Sequence, residues 1–250
     1  MKLKVGTYNI CHCRDFSDFD PNGPEKEAVC HLDKTANVIK NLDCDILSLN
    51  EVFASGIWKE FENQTEVLAS LSGYKHYNFA LGADLSLCVI GNSILSKYPI
   101  LKFEQIAIPT VPENQRDPNG YYEDRVLAIC DIDVNGQLIK VISAHFGLMP
   151  AELKNCVQAV CEVLDCSTIP CILMGDFNAE PNNPALIPIF DRLKNSASQM
   201  NNFEKTFSTY APSILIDYIF VPKRATVFDY KVEKEYKVSD HYPITSHVDI

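Results

Sequence analysis

An apolar run of strand length, Cys171-Ile172-Leu173-Met174, breaks at Gly175 and is followed at once by Asp176-Phe177-Asn178. Residues two apart in extended chain share a face, so Asp176 and Asn178 project together while Phe177 points the other way, into a core. A carboxylate and an amide delivered side by side at a strand end can hold a water, a metal ion or an oxyanion. Asp, Asn and Gly are also common turn residues. On this segment alone, both readings stand.

Five other segments set a polar group into apolar, strand-like surroundings. Asn9 closes Thr7-Tyr8-Asn9, Glu51 lies in Leu47-Ser48-Leu49-Asn50-Glu51-Val52, and His145 closes Ile142-Ser143-Ala144-His145. Asp217 has apolar neighbours in Leu215-Ile216-Asp217-Tyr218-Ile219, and Asp240-His241 precedes Tyr242-Pro243. Each has a plain structural alternative: a turn asparagine, a satisfied core histidine, a Ser239-Asp240 cap. Asp217 fits that alternative least, because an isolated buried carboxylate is costly without a donor or a cation. Convergence of Glu51, Asp176, Asp217 and Asp240 would be self-repelling unless something positive were bound. Oxygen donors without a cysteine cluster favour a hard divalent ion, Mg2+ or Mn2+. His145 and His241 add groups that donate to a phosphate or orient a water. Together these are the parts needed for metal-assisted hydrolysis of a phosphoester.

The elements that must position these residues alternate between two textures. Leu3–Ile10 reads as a strand, a polar loop follows through Asp20–Pro24, and Leu32, Ala36, Ile39 and Leu42 mark one face of a helix. Asp45–Val52 reads as a buried strand, and Ile57, Phe61, Leu68 and Leu71 as a second helix closed by Gly73. Strands are expected over Tyr74–Leu81, Leu85–Ile90 and Ser93–Ser96, then a long loop from Pro109 to Asp124. Arg125–Val134 and Gln137–Phe146 flank Asn135-Gly136, a strong hairpin signal. Leu153, Val157, Val160 and Leu164 give a third helix, Ala185–Leu193 a short one, and Ile214–Val221, Thr226–Glu233 and Ile244–Asp249 further strands. Strand–helix–strand units at both ends with hairpins between predict two sheets packed face to face and covered by helices. The expected fold class is thus α/β (α+β), a four-layer α/β/β/α sandwich in one domain over residues 1–250.

At 250 residues, 46% hydrophobic and 22% charged, the chain suits one globular domain with a sizeable core. Met1–Ile10 reads as a strand and not a signal peptide, and no apolar run approaches the roughly 18 residues of a membrane span. Cytoplasmic residence is the resulting expectation. Cys156, Cys161, Cys166 and Cys171 recur every five residues, but a step of five turns a helix by about 140°, so they cannot share a face. Cys11-His12-Cys13 matches no zinc spacing, and most of the ten cysteines are expected to be buried and reduced. A net charge of −11 disfavours a nucleic-acid partner, whose affinity rests on phosphate contacts, while leaving a locally basic cleft open. Nothing in the sequence sets an oligomeric state.

Seven segments occur in an order that resembles the endonuclease/exonuclease/phosphatase superfamily. They are Thr7-Tyr8-Asn9, Leu49-Asn50-Glu51-Val52, Gly91-Asn92-Ser93-Ile94-Leu95-Ser96, Ser143-Ala144-His145-Phe146, Gly175-Asp176-Phe177-Asn178, Ile216-Asp217-Tyr218-Ile219 and Ser239-Asp240-His241-Tyr242-Pro243, spanning Asn9 to Pro243. That superfamily includes deoxyribonuclease I, exonuclease III, neutral sphingomyelinases and inositol polyphosphate 5-phosphatases. The resemblance implies a deoxyribonuclease I-like fold and Mg2+-dependent (or Mn2+-dependent) cleavage of a phosphoester by water. It implies that Glu51 ligates the metal with Asn9 and Asp240 beside it, and that Asp176 and Asn178 align water and phosphate. It further implies that His241, held by Asp217, contacts the scissile phosphate and that His145 is a second catalytic histidine. Asn50 departs from the family's usual glutamine before the glutamate. Arg125 could bind phosphate or make a surface salt bridge, Asn92 is placed at the edge of the site, and His12 reads as a loop histidine. The expected substrate is a small phosphoester such as a sugar phosphate, lipid head group or nucleotide; nuclease action and a non-catalytic binding module are the alternatives.

Overall fold

The computed structural model describes residues 1–17, 30–55, 63–86 and 88–250. The expected polar loop at Asp20–Pro24, and Ile57 and Phe61 of the second expected helix, lie outside the described residues. Among the described residues two six-stranded sheets form. The first runs in the order β11 (Thr226–Val232), β12 (Ile244–Asp249), β1 (Lys2–Asn9), β2 (Ile46–Ser55), β4 (Cys88–Ser96), β3 (His76–Asp84). The second runs β5 (Ile100–Ala107), β6 (Val126–Val134), β7 (Gln137–His145), β8 (Cys171–Asp176), β10 (Asp217–Pro222), β9 (Leu193–Asn195). Helices α1 (Leu32–Leu42) and α2 (Gln64–Ser72) share a core with the first sheet; α3 (Pro150–Cys166) and α4 (Ile187–Arg192) share one with the second. A short helix, α5 (Ser196–Gln199), precedes β10. This is the expected four-layer α/β/β/α sandwich.

Strand alternation sorts side chains into three cores. In β1, Leu3 and Val5 face the inter-sheet core while Tyr8 faces the α1/α2 layer. In β8, Ile172 and Met174 face between the sheets, and Leu173 packs outward with Phe146, Phe177 and Phe220 under α3 and α4. Both faces of these strands are covered, which is why they read as continuous apolar runs. Each fully buried side chain of this size contributes about 1.5–3 kcal/mol. Gly175 is required by packing: a Cβ there would lie 1.8 Å from the Ala144 carbonyl oxygen of β7, at a φ of +142°. Asn135 and Gly136 take the left-handed φ values of 55° and 87° that close the hairpin between Val134 and Gln137.

The elements differ from expectation where periodicity is missing. The three strands expected between Tyr74 and Ser96 are two, β3 and β4. β4 is buried along its whole length, so no alternation marks where it begins. β5 is mostly exposed and was not expected; neither were the three-residue β9 and α5. β10 starts at Asp217, three residues later than the expected strand. Leu71, expected on an apolar helix face, is 52% exposed. All ten cysteines are free, and seven are buried; Cys30 and Cys166 are exposed and Cys11 is intermediate. Among the described residues no helix is long and apolar enough to cross a membrane.

Candidate active site

Sheet register brings the polar strand ends to one end of the sandwich. Asn9 lies beside Asn50 across the parallel β1–β2 pair, and Asp176 lies between His145 of β7 and Asp217 of β10. The two sheets are then tied across the gap. Asn9 Nδ2 donates to Glu51 Oε1 at 3.0 Å and to Asp176 Oδ2 at 3.1 Å. Asn50 Nδ2 donates to the Ala144 carbonyl at 3.1 Å, and its Oδ1 accepts from the Asp176 backbone N–H at 3.0 Å. A register shift in β2 between Leu49 and Val52 puts Glu51 at φ 55°, a bulge that turns its carboxylate into the site. Asn178, at φ 46°, closes back on Asp176, its N–H donating to Oδ1 at 2.9 Å. Left-handed non-glycine residues of this kind cost about 1–3 kcal/mol each and cluster at functional sites.

The two buried histidines have opposite partners. His241 Nδ1 lies 2.9 Å from Asp217 Oδ2; a carboxylate only accepts, so Nδ1 carries a proton. Its Nε2 faces Asp176 Oδ2 at 3.5 Å. Burial opposes charge on this ring, but Asp217 and Asp176 outweigh it and lift its pKa to about 10. Burial raises the Asp176 carboxyl above the ordinary carboxylate range; His241 pulls it back and Asp217 adds repulsion. His145 Nδ1, by contrast, lies 2.9 Å from Arg125 Nη1. A guanidinium only donates, so Nδ1 is the acceptor and the His145 proton sits on Nε2. Burial first, and then the Arg125 charge, hold this imidazole well below its usual pKa.

That tautomer has a consequence at the cleft. The His145 Nε2–H is 3.7 Å from Asp176 Oδ2 and 4.0 Å from Glu51 Oε1, beyond hydrogen-bond reach, and 3.2 Å from Asn178 Nδ2. Asn178 gives one N–H to the Phe146 carbonyl at 2.9 Å. Two N–H donors therefore stand side by side with no acceptor between them, an arrangement that suits an anionic oxygen.

At the Glu51 end the imbalance is reversed. Cys11, His12 and Cys13 form a turn with φ values of 42°, 57° and 62°, and it carries Cys11 and His12 to Glu51. His12 Nδ1 lies 3.0 Å from the Glu51 carbonyl oxygen, so Nδ1–H is the donor and the Nε2 lone pair faces outward. Nε2 meets Glu51 Oε2 at 3.3 Å. Burial holds His12 neutral, its pKa lowered to about 4 despite the Glu51 carbonyl. The Cys11 thiol is pushed up by burial and by the adjacent Asp240 and Glu51 carboxylates, and burial also raises Asp240, with His241 opposing and Glu51 adding. His12 Nε2 and Glu51 Oε2 thus stand 3.3 Å apart, a donor set that fits a divalent cation. Asp217 Oδ1, buried without a hydrogen-bond partner, marks a second electron-rich position.

The eight residues Asn9, Glu51, His145, Asp176, Asn178, Asp217, Asp240 and His241 thus converge. Three expectations change. The Asn9 amide is engaged at both ends, Oδ1 accepting from the Cys11 N–H at 3.1 Å while Nδ2 orients two carboxylates. The Asn92 amide is used at both ends, accepting from Asn50 Nδ2 and donating to the Val126 carbonyl, both at 2.8 Å; it braces Asn50 and does not serve substrate. Arg125 does not make a surface salt bridge. It is 8% exposed, donates to His145 and lies 3.2 Å from Glu123 Oε2. From sequence, His12 read as a loop residue, Cys11 as part of no zinc spacing and Ser239 as a cap, and Thr206 carried no signal. Thr206 Oγ1 accepts from the Ile216 N–H at 3.2 Å, and Ser239 Oγ donates to the Asn9 carbonyl at 2.8 Å. The turn after the hairpin fixes its register, so the Arg125–His145 proximity was legible: Leu127 pairs with Ala144. No short-range signal announced the rest.

A family model described as the endonuclease/exonuclease/phosphatase family matches residues 6–241. Solved structures agree in fold. An endonuclease/exonuclease/phosphatase structure from Beutenbergia cavernae is 24% identical with a TM-score of 0.78, covering 100% of this chain and 72% of that one. A mannosyl-6-phosphatase from Bacteroides thetaiotaomicron is 16% identical with a TM-score of 0.73, covering 99% and 100%. A truncated TDP2 from Caenorhabditis elegans is 16% identical with a TM-score of 0.69, covering 100% and 98%. No curated protein sequence matches significantly.

Proposed function

This chain belongs to the endonuclease/exonuclease/phosphatase family, and on that premise we propose that it is a divalent-metal-dependent hydrolase of a phosphoester. One observation supports the reading: the His145 Nε2–H and an Asn178 N–H stand side by side with no acceptor between them, and 4.0 Å from His145 the Glu51 carboxylate, with His12 Nε2 beside it, offers ligand atoms to a cation. A phosphate oxygen answers the first and a cation the second. Glu51 and Asp240 would hold the metal, which when bound supplies charge to offset that developing on the phosphoryl group. Asp176, fixed by Asn9, Asn50 and the Asn178 N–H, is placed to orient a water and accept its proton. His241, charged and held by Asp217, donates to a phosphate oxygen, and His145 Nε2–H with Asn178 Nδ2–H donates to another. Water oxygen bonds to phosphorus, the ester P–O bond breaks, and the departing oxygen takes up a proton.

The substrate we propose is a small phosphoester. Glu123 and Asp124, which line a pocket with His145, and the net charge of −11 oppose a long polyanion more than a compact one. The mannosyl-6-phosphatase among the similar folds acts on a compact phosphate ester of this kind. The test is hydrolysis of bis-p-nitrophenyl and p-nitrophenyl phosphate by wild type, Asp176→Ala and His241→Ala. Activity is expected to fall by at least about two decades in each variant; undiminished turnover in both would remove the proposal.

A further inference from the structure

We propose that Cys11 and His12 join Glu51 as ligands of the site's cation, and that this makes the site one for a borderline-soft transition metal of the Zn2+, Co2+ or Fe2+ class in preference to Mg2+. The inference rests on the hydrolase reading above and names its metal.

The geometry carries it. Cys11, His12 and Glu51 each offer one ligand atom, and the three atoms lie within 4.8 Å of one another. The His12 Nε2 to Glu51 Oε2 separation is 3.3 Å. Two donors bonded tetrahedrally to one ion at about 2.0–2.1 Å stand about 3.3 Å apart, so these two atoms already have ligand spacing.

The His12 ring is also supported as metal-bound imidazoles are. Its Nδ1–H is taken by the Glu51 carbonyl at 3.0 Å, which fixes the tautomer with Nε2 free. The Phe53 ring stacks on it with centroids 3.8 Å apart and planes 13° from parallel. Its backbone carbonyl accepts from Gln64 Nε2 at 2.8 Å and from the Cys30 thiol at 3.2 Å. A ring held on its face, its far nitrogen and its backbone presents Nε2 in one direction, and the Glu51 carboxylate stands there.

Thiolate and imidazole decide the class of metal. Mg2+ takes oxygen ligands and keeps several waters, whereas one sulfur, one nitrogen and one carboxylate match zinc-like ions. Binding replaces the thiol S–H bond with an S–metal bond and releases the proton to solvent. The Cys11-His12 pair, which matched no zinc spacing in sequence, finds a further ligand in Glu51 on β2.

The experiment is a Co2+ titration of chelator-treated full-length protein, read by near-ultraviolet thiolate-to-cobalt charge transfer and visible d–d bands. One Co2+ per chain with a charge-transfer band is expected in wild type and in the Cys30→Ser control, and the band is expected to vanish in Cys11→Ser. His12→Ala should weaken Co2+ binding by at least about tenfold, and a large excess of Mg2+ should not displace it from wild type. X-ray absorption of zinc-loaded wild type serves should Cys11→Ser fail to fold, and should show one sulfur at about 2.3 Å. No sulfur scatterer, or a charge-transfer band that survives in folded Cys11→Ser, overturns the inference. Metal-dependent phosphoester hydrolysis without the band would fell this inference alone; the band without any hydrolysis would fell the hydrolase reading alone.

Discussion

The two ends of the cleft are built from the same side-chain types and satisfied in opposite senses. At one end His145 is turned into a donor by Arg125 and placed beside the Asn178 amide. At the other, His12 is turned into an acceptor by the Glu51 carbonyl and placed against the Glu51 carboxylate. Between them His241 is paired with Asp217 and kept charged. The residue name fixes none of this; the partner of the remote nitrogen does. A histidine at a strand end is informative only once its second nitrogen has been assigned.

The largest effect should come from removing the acceptor end. Glu51→Gln is expected to abolish tight metal binding and to lower turnover by at least about two decades, measured by calorimetry and by bis-p-nitrophenyl phosphate hydrolysis; wild-type affinity in that variant would break the comparison. Asp217→Asn comes next. It leaves His241 its size but removes the charge that holds it protonated, so turnover should fall about 10²-fold and the His241 ring should titrate near its ordinary value when followed by NMR.

Arg125→Met tests the donor end. Arg125 is a positioning residue, and its loss should let the His145 pKa rise toward 6.5, adding an acid limb to the pH dependence of kcat. The same change removes the Arg125–Glu123 ion pair. An unshifted His145 would show that burial alone keeps it neutral.

The smallest effect is in the stability of the metal-free protein against pH, where the histidines act on opposite wings. The folded-state pKa of His241 is raised, so its contribution is complete below about 6.5 and is lost as pH climbs through about 10. Those of His145 and His12 are lowered, so their contributions are present above about 6.5 and are lost as pH falls, for His12 toward about 4. His241→Gln should flatten the alkaline wing of the unfolding free energy and leave the acid wing standing.

Much of the fold was legible because its central strands are apolar on both faces and end in polar residues. Asn9, Asp176 and Asp217 stood out for that reason, and the Asn135-Gly136 turn set the hairpin register. β5 was hidden because a largely exposed edge strand carries no alternation, and β4 because a fully buried one carries none either. The eight converging residues were named from sequence, but not what each does. The Asn92 and Asn9 amides looked free and are engaged, because whether an amide is free depends on neighbours more than 30 residues away. Cys11 and His12 sit on a left-handed turn that no local pattern predicts, and their partner is 40 positions on.

The central claim is tested most directly by incubating the purified protein with a panel of phosphate mono- and diesters, including sugar phosphates, nucleotides, phospholipid head groups and single-stranded DNA. Each is assayed with added divalent metal and again after chelation. The account predicts hydrolysis of at least one compact phosphoester, lost on chelation and restored by metal. Full turnover in the presence of chelator, or no hydrolysis of any phosphoester by metal-loaded protein, would contradict it.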